Sequence, residues 1–119
     1  MPRLLAASRQ STKHPGMLSP SFFTPQGWQD ALEISQYIEA DNPDAAARFL
    51  PALEDTCTQL VALPGMGSPR TFQRKDLKGV RILPVTGFEY YLIFYIAAGK
   101  SIKVLRILHA ARDFPTVFN

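Results

Sequence analysis

At 119 residues the chain has room for one domain with a real core, and not for two. No apolar run approaches the roughly 20 residues of a helical membrane span, so the composition points to a soluble protein. The formal charge is +3, and the single cysteine, Cys57, excludes an internal disulfide and points to a reducing, cytoplasmic setting.

The modest net charge conceals a division. Residues 1–17 hold Arg3, Arg9 and Lys13 and no acid. Residues 28–64 set one cation, Arg48, against seven acids, whereas from Gly65 onward nine cations face three acids. A domain divided in this way has a basic half that attracts an anionic partner, nucleic acid or acidic peptide.

Residues 1–17 mix Ser, Thr, Lys, Pro and Gly without periodicity and read as a disordered extension, with the domain at 18–119. Met17 offers an alternative start of translation. Leu18 to Thr24 is a short extended segment expected to dock on the sheet edge through Phe22 and Phe23. Thr24-Pro25 is an N-cap followed by a proline at the first helical position. Ala31, Ile34 and Ile38 then share one helical stripe with Trp28 and Tyr37 at its margins, and all are expected in the core. Asn42-Pro43-Asp44 repeats the start signal. Ala46, Phe49, Leu50, Leu53, Cys57, Leu60 and Val61 follow at helical steps, predicting a second helix folded back on the first. Part of the hairpin's apolar stripe is expected to stay uncovered in the monomer. Pro51 falls inside helix two, where a proline deletes one backbone hydrogen bond, and predicts a kink rather than a break.

Leu63 to Arg70 reads as a loop because Pro64, Gly65, Gly67 and Pro69 succeed one another. Thr71 to Lys78 reads as an exposed basic connection. Three β-branched and aromatic runs follow, Val80 to Val85, Tyr90 to Ile96 and Ile102 to Leu108, with Gly87 and Gly99 in the gaps. They predict a three-stranded antiparallel meander. In the middle run both alternating sets are apolar, so that strand needs cover on both faces. The fold class expected is α+β, a helical hairpin on a small twisted antiparallel sheet in the order β-α-α-β-β-β.

Asp41-Asn42-Pro43, the loop from Leu63 to Arg70, the aromatic run Tyr91 to Tyr95 and the run from Val104 through His109 to Asp113 stand in an order that resembles the RelE/ParE toxin superfamily, on its ParE side. The resemblance covers roughly residues 18–119. It implies the toxin of a bacterial type II toxin–antitoxin module of the plasmid-stabilisation kind, neutralised by a ParD-like antitoxin. ParE-like members poison DNA gyrase, whereas RelE-like members cut messenger RNA on the ribosome. A third reading is a relative that has lost toxicity and only binds antitoxin.

The residues expected to contact target or antitoxin are Arg81, Tyr91, Tyr95, Lys103, Arg106, His109 and Arg112. An endoribonuclease would need a proton donor and acceptor with cations for the developing phosphate charge, roles open to His109, Arg81, Arg106 and Arg112. The bland alternative makes His109 structural, its ring hydrogen-bonded near the strand exit, with Arg112 and Asp113 as a local pair. Phe114-Pro115 stands where RNA-cleaving relatives often carry a tyrosine, which favours the gyrase reading. No metal-ligand cluster or phosphate loop is recognisable, and no cofactor or metal is expected.

Overall fold

Residues 22–113, apart from residue 73, are described by a computed structural model. Expectations for residues 1–17, for Leu18 to Ser21 and for residues 114–119 lie outside them.

The two helix-start signals act as expected. Thr24 is extended, its Oγ1 accepts the Gly27 N–H at 3.0 Å, and α1 runs Pro25–Asp41. Asn42 serves both helices. Its N–H closes α1 on the Ile38 carbonyl at 2.7 Å, and its Oδ1 accepts the Ala45 N–H at 3.1 Å to open α2, Pro43–Ala62. One residue between the helices leaves α2 packed against α1. Helix α2 passes through Pro51 unbroken, with that proline exposed, and the stripe of Phe49, Leu53, Cys57 and Leu60 stays buried and in phase across it.

The sheet is an antiparallel meander in the order β1-β2-β3-β4, comprising β1 (Ser68–Pro69), β2 (Arg81–Val85), β3 (Phe88–Ala98) and β4 (Ser101–His109). Gly87 and Gly99 turn the two long hairpins with φ of +85° and +61°, a region costly for residues with a Cβ. Strand β3 is covered on both faces, as its double apolar pattern requires. Tyr91, Ile93 and Tyr95 join Phe49, Leu53, Cys57 and Leu60 under the helices. Phe94, fully buried, joins Leu77, Val80, Ile82 and Leu108 on the other face. Each large apolar side chain removed from water in this way contributes about 1.5 to 3 kcal/mol.

The fourth strand comes from an unexpected place. Among the described residues, the segment before α1 makes a single parallel bridge, Phe23 to Val104, while the expected loop from Leu63 to Arg70 supplies β1. A 3-10 turn at Pro64–Met66 precedes it, and the Arg70 N–H continues the pairing to the Val80 carbonyl at 3.0 Å. Nor is the 71–78 connection merely exposed. Its 3-10 turn at Lys75–Leu77 drives Leu77 into the second-face cluster, because among the described residues no α-helix covers that face of β3. Tyr37 also departs from expectation: it is 63% exposed, beyond the edge of the buried stripe. Among the described residues the large exposed apolar side chains are Leu32, Tyr37, Leu63, Met66 and Tyr90; two of them are on α1 and none is within α2, so the expected uncovered stripe along the hairpin is not seen there.

The outer edge of β4 is closed by the start of α1. The Thr24 N–H donates to the Val104 carbonyl at 3.0 Å, and the Thr24 hydroxyl points at the carbonyls of Val104 and Leu105. Unpaired edge groups of this kind are a template for aggregation, so their capture protects the sheet. No helix among the described residues is long and apolar enough to cross a membrane.

Candidate functional site at the end of strand β4

Strand β4 and α1 are joined by a carboxylate. Asp30, buried on the sheet side of α1, accepts from Arg106 Nε at 2.7 Å and Nη2 at 3.2 Å, and from the Ile107 N–H at 3.1 Å. Gln26 Nε2 adds a fourth donor at 3.0 Å. The guanidinium fork matches the carboxylate plane, and the backbone donor is one that an edge strand would leave open. A groove of about 400 Å³ opens beside this pair, lined by Asp30, Glu33, Ile34, Tyr37, Arg106, Ile107, Leu108, Arg112 and Asp113.

Beyond Arg106 the chain turns sharply. His109 Nδ1 accepts the N–H groups of Ala111 and Arg112, each at 3.2 Å. That arrangement puts the ring proton of a neutral His109 on Nε2. The Asp113 carboxylate accepts the His109 N–H at 2.9 Å, and the Asp113 N–H returns to the His109 carbonyl at 2.9 Å. Arg112 pairs with Asp113 at 3.0 Å and lies 4.9 Å above the Tyr37 ring. The Arg112 hydrogen bond, then the His109 N–H, hold the Asp113 carboxyl below its usual range despite some desolvation, and the same bond raises Arg112. On the other side the His109 ring stacks on Tyr90 at 5.9 Å with 5° between planes, and meets the edge of Tyr91 at 5.3 Å. The result is a row of contacts at one end of the sheet, from Tyr37 to the Arg112 guanidinium, from the Arg112 N–H to the His109 ring, and from that ring to Tyr90.

Arg81 does not belong to this row. It lies opposite Tyr95, whereas His109 lies opposite Tyr91 on the other side of β3. Four residues along the strand is about 13 Å, and two strand spacings add about 10 Å sideways. Arg81 therefore stands two strands from β4, not beside it, and cannot share one phosphate with His109. Its Nη1 instead donates to the carbonyls of Gly67 at 2.7 Å and Gly65 at 3.3 Å. Tyr95 is fully buried beneath the same loop; its hydroxyl donates to the Pro64 carbonyl at 2.7 Å and accepts the Gly67 N–H at 2.9 Å. Tyr91 is buried against Phe49. Neither tyrosine has surface to offer a partner, because β3 is the covered middle of the sheet. Lys103 sits opposite Ile96, towards the far end of β4 from His109. Of the seven expected contact residues, Arg106, His109 and Arg112 come together at this end of β4, with Tyr91 buried against the His109 ring.

The model of the family described as ParE toxin of type II toxin–antitoxin system, parDE, matches residues 22–114. The chain belongs to the ParE toxin family. It is 31% identical over 85 residues to Y4kP of Sinorhizobium fredii (strain NBRC 101917 / NGR234), a toxin candidate by name, with 71% of this chain and 81% of that protein aligned. Its fold is similar to that of a chain from the chromosomal ParDE toxin–antitoxin system of P. aeruginosa, with a TM-score of 0.58, 20% identity, and coverage of 73% of this chain and 90% of that one.

In this ParE toxin the sequence reading missed Asp30, Tyr37 and Tyr90 as site residues. A signal for Asp30 existed: it falls between Gly27, Ala31 and Ile34 on the stripe that faces the sheet, where a carboxylate needs a partner. Tyr90 and Tyr37 carried none, since an aromatic at a strand start or a helix margin usually packs inward.

Proposed function

We propose that this ParE-family toxin acts by gripping DNA gyrase through the end of β4, without chemistry of its own, and that a ParD-like antitoxin bearing an acidic segment neutralises it by covering the same surface. Toxin and antitoxin then meet in the cytoplasm, where gyrase works. The observation that carries this reading is the make-up of that end: Tyr90, 74% exposed, and Tyr37 flank His109 and Arg112. Tyrosine and arginine are over-represented among residues that dominate protein interfaces. The four residues an endoribonuclease would employ all make contacts within the chain: Arg81 with loop carbonyls, Arg106 with Asp30, His109 through Nδ1 with two N–H groups and Arg112 with Asp113. Family membership supports gyrase as the target, and Arg106 and Arg112 beside the groove at the end of β4 support an acidic antitoxin segment.

The test sets purified toxin in gyrase supercoiling and cleavage assays and, in parallel, on programmed ribosomes. Stabilised gyrase–DNA cleavage with intact message is expected. Tyr90→Ala and Tyr37→Ala, both on exposed side chains, should weaken it by roughly thirtyfold each if they are interface anchors worth about 2 kcal/mol. Codon-dependent message cutting would overturn the reading in favour of an endoribonuclease. Inactivity in both assays, with antitoxin still bound, would mark a relative that has lost toxicity.

A further inference from the structure

Between Arg70 and Gly79 the chain carries four cations, Arg70, Arg74, Lys75 and Lys78, against one acid, Asp76. All four cations are exposed. Their backbone is anchored. The Arg70 N–H pairs with the Val80 carbonyl at 3.0 Å, the Lys78 N–H closes the turn on the Lys75 carbonyl at 3.2 Å, and Leu77 plugs the second-face cluster. A cavity of about 250 Å³ opens among Arg70, Thr71, Phe72, Arg74, Lys75 and Lys78, and it shares no residue with the groove at the end of β4.

We propose that this turn is a docking surface for the phosphate backbone of duplex DNA. The cations and the Thr71 hydroxyl are donor types that phosphate oxygens accept, and four cations on a braced turn complement a dense row of negative charge. A protein partner would need an exposed apolar anchor at the centre of its footprint, but among the described residues the large exposed apolar ones, Leu32, Tyr37, Leu63, Met66 and Tyr90, all lie outside this segment. A single strand would need an aromatic platform, and the one ring in the segment, Phe72, is packed against the second-face cluster. The surface that remains positions a backbone and reads no bases. The proposal concerns a separate surface from the one assigned to gyrase and is tested without gyrase or ribosomes.

The test titrates a short fluorescent DNA duplex of arbitrary sequence with the full chain and follows anisotropy against salt. Contacts from Lys75 and Lys78 alone give a slope of log K against log[salt] of about −1.8, so affinity falls at least roughly tenfold between about 50 and 200 mM salt, and further with each contact that Arg70 or Arg74 adds. Lys75→Gln with Lys78→Gln, both exposed, should leave the melting temperature unchanged and make the slope shallower by about 1.8, the share of two phosphate contacts. Changing all four cations to Gln should abolish binding. Unaltered duplex affinity in the four-site variant, with its fold intact by circular dichroism, would overturn the proposal. So would tighter binding to a single strand of equal charge, or equal binding to polyglutamate, which would assign the turn to an acidic protein segment.

Discussion

Asp30 of α1 and Arg106 of β4, 76 positions apart in the chain, face each other with Arg106 Nε 2.7 Å from one carboxylate oxygen and Nη2 3.2 Å from the other. Because Oδ2 also takes the Ile107 N–H, this one side chain fixes the helix to the edge of the sheet and sets the direction in which β4 leaves it.

Asp30→Asn should therefore destabilise the fold, because an amide presents a donor to a guanidinium that has only donors. Breaking a buried pair costs about 3 to 5 kcal/mol, and the partial exposure of Arg106 lowers the expectation to roughly 2 kcal/mol. Urea unfolding measures it. Replacing both partners, Asp30→Leu with Arg106→Met, should recover part of the loss. A single-site loss below about 0.5 kcal/mol, within the range of ordinary surface pairs, would show that the pair is idle.

Gly27 sits where α1 comes closest to β4. A Cβ there would lie 2.6 Å from the Val104 carbonyl oxygen, a backbone atom that cannot swing aside. Helix propensity favours alanine over glycine by about 1 kcal/mol, and overpacking against backbone costs about 1 to 3 kcal/mol, so the clash prevails. Gly27→Ala should lower the melting temperature. Gly65→Ala, whose Cβ would meet nothing within 4 Å, should leave it unchanged.

Tyr95→Phe removes the hydroxyl that both receives the Gly67 N–H and donates to the Pro64 carbonyl. The buried N–H is left without its partner, at a cost of about 1 to 3 kcal/mol. Since Arg81 also grips this loop, the loss should appear as faster hydrogen exchange at Gly67 with the sheet amides of β3 still protected. Global loss of protection would mean that the hydroxyl holds the whole sheet rather than the loop.

Thr24-Pro25 and Asn42-Pro43 could be read in advance because a cap and a fixed φ act locally, whatever the chain does elsewhere. The double apolar pattern of Tyr90 to Ile96 likewise announced a strand covered on both faces, and only Tyr90, at its start, escapes that cover. What covers the second face did not follow, because Leu77 is a lone apolar residue in a basic stretch and only the sheet behind it gives it a place. β1 escaped notice for a similar reason: Ser68 and Pro69 have no strand propensity, and their pairing is imposed by β2 and by the grip of Tyr95 and Arg81 on the preceding loop. Arg81, Arg106 and Arg112 look equivalent in sequence. Only the register separates Arg81 from the other two.

Cys57 lies fully buried under the hairpin, and loss of water, aided by the nearby Glu54 charge, pushes its thiol up to about 12. The thiolate is the reactive form, so native protein at pH 8 should resist aromatic disulfide reagents and react when urea unfolds it. Its contribution to stability is whole below the ordinary thiol value and declines as pH climbs from there towards about 12. Rapid labelling without unfolding would show that the hairpin opens locally.

Asp113 gives the end of β4 its pH dependence. Its carboxylate holds Arg112 and the His109 N–H, and those bonds depress its ionisation below the ordinary value. Folding thus favours the charged form. The stabilisation is complete above the ordinary aspartate value, near pH 4, and is lost as pH falls through the lower folded value. The His109 amide resonance should shift with a midpoint below about pH 4, together with the Arg112 side-chain N–H. Asp113→Asn should abolish that titration, because the amide has no charge to lose. A wild-type midpoint above about pH 4 would mean that the turn does not hold the carboxylate in solution, and the row from Tyr37 to Tyr90 would lose the contact that aligns Arg112 within it.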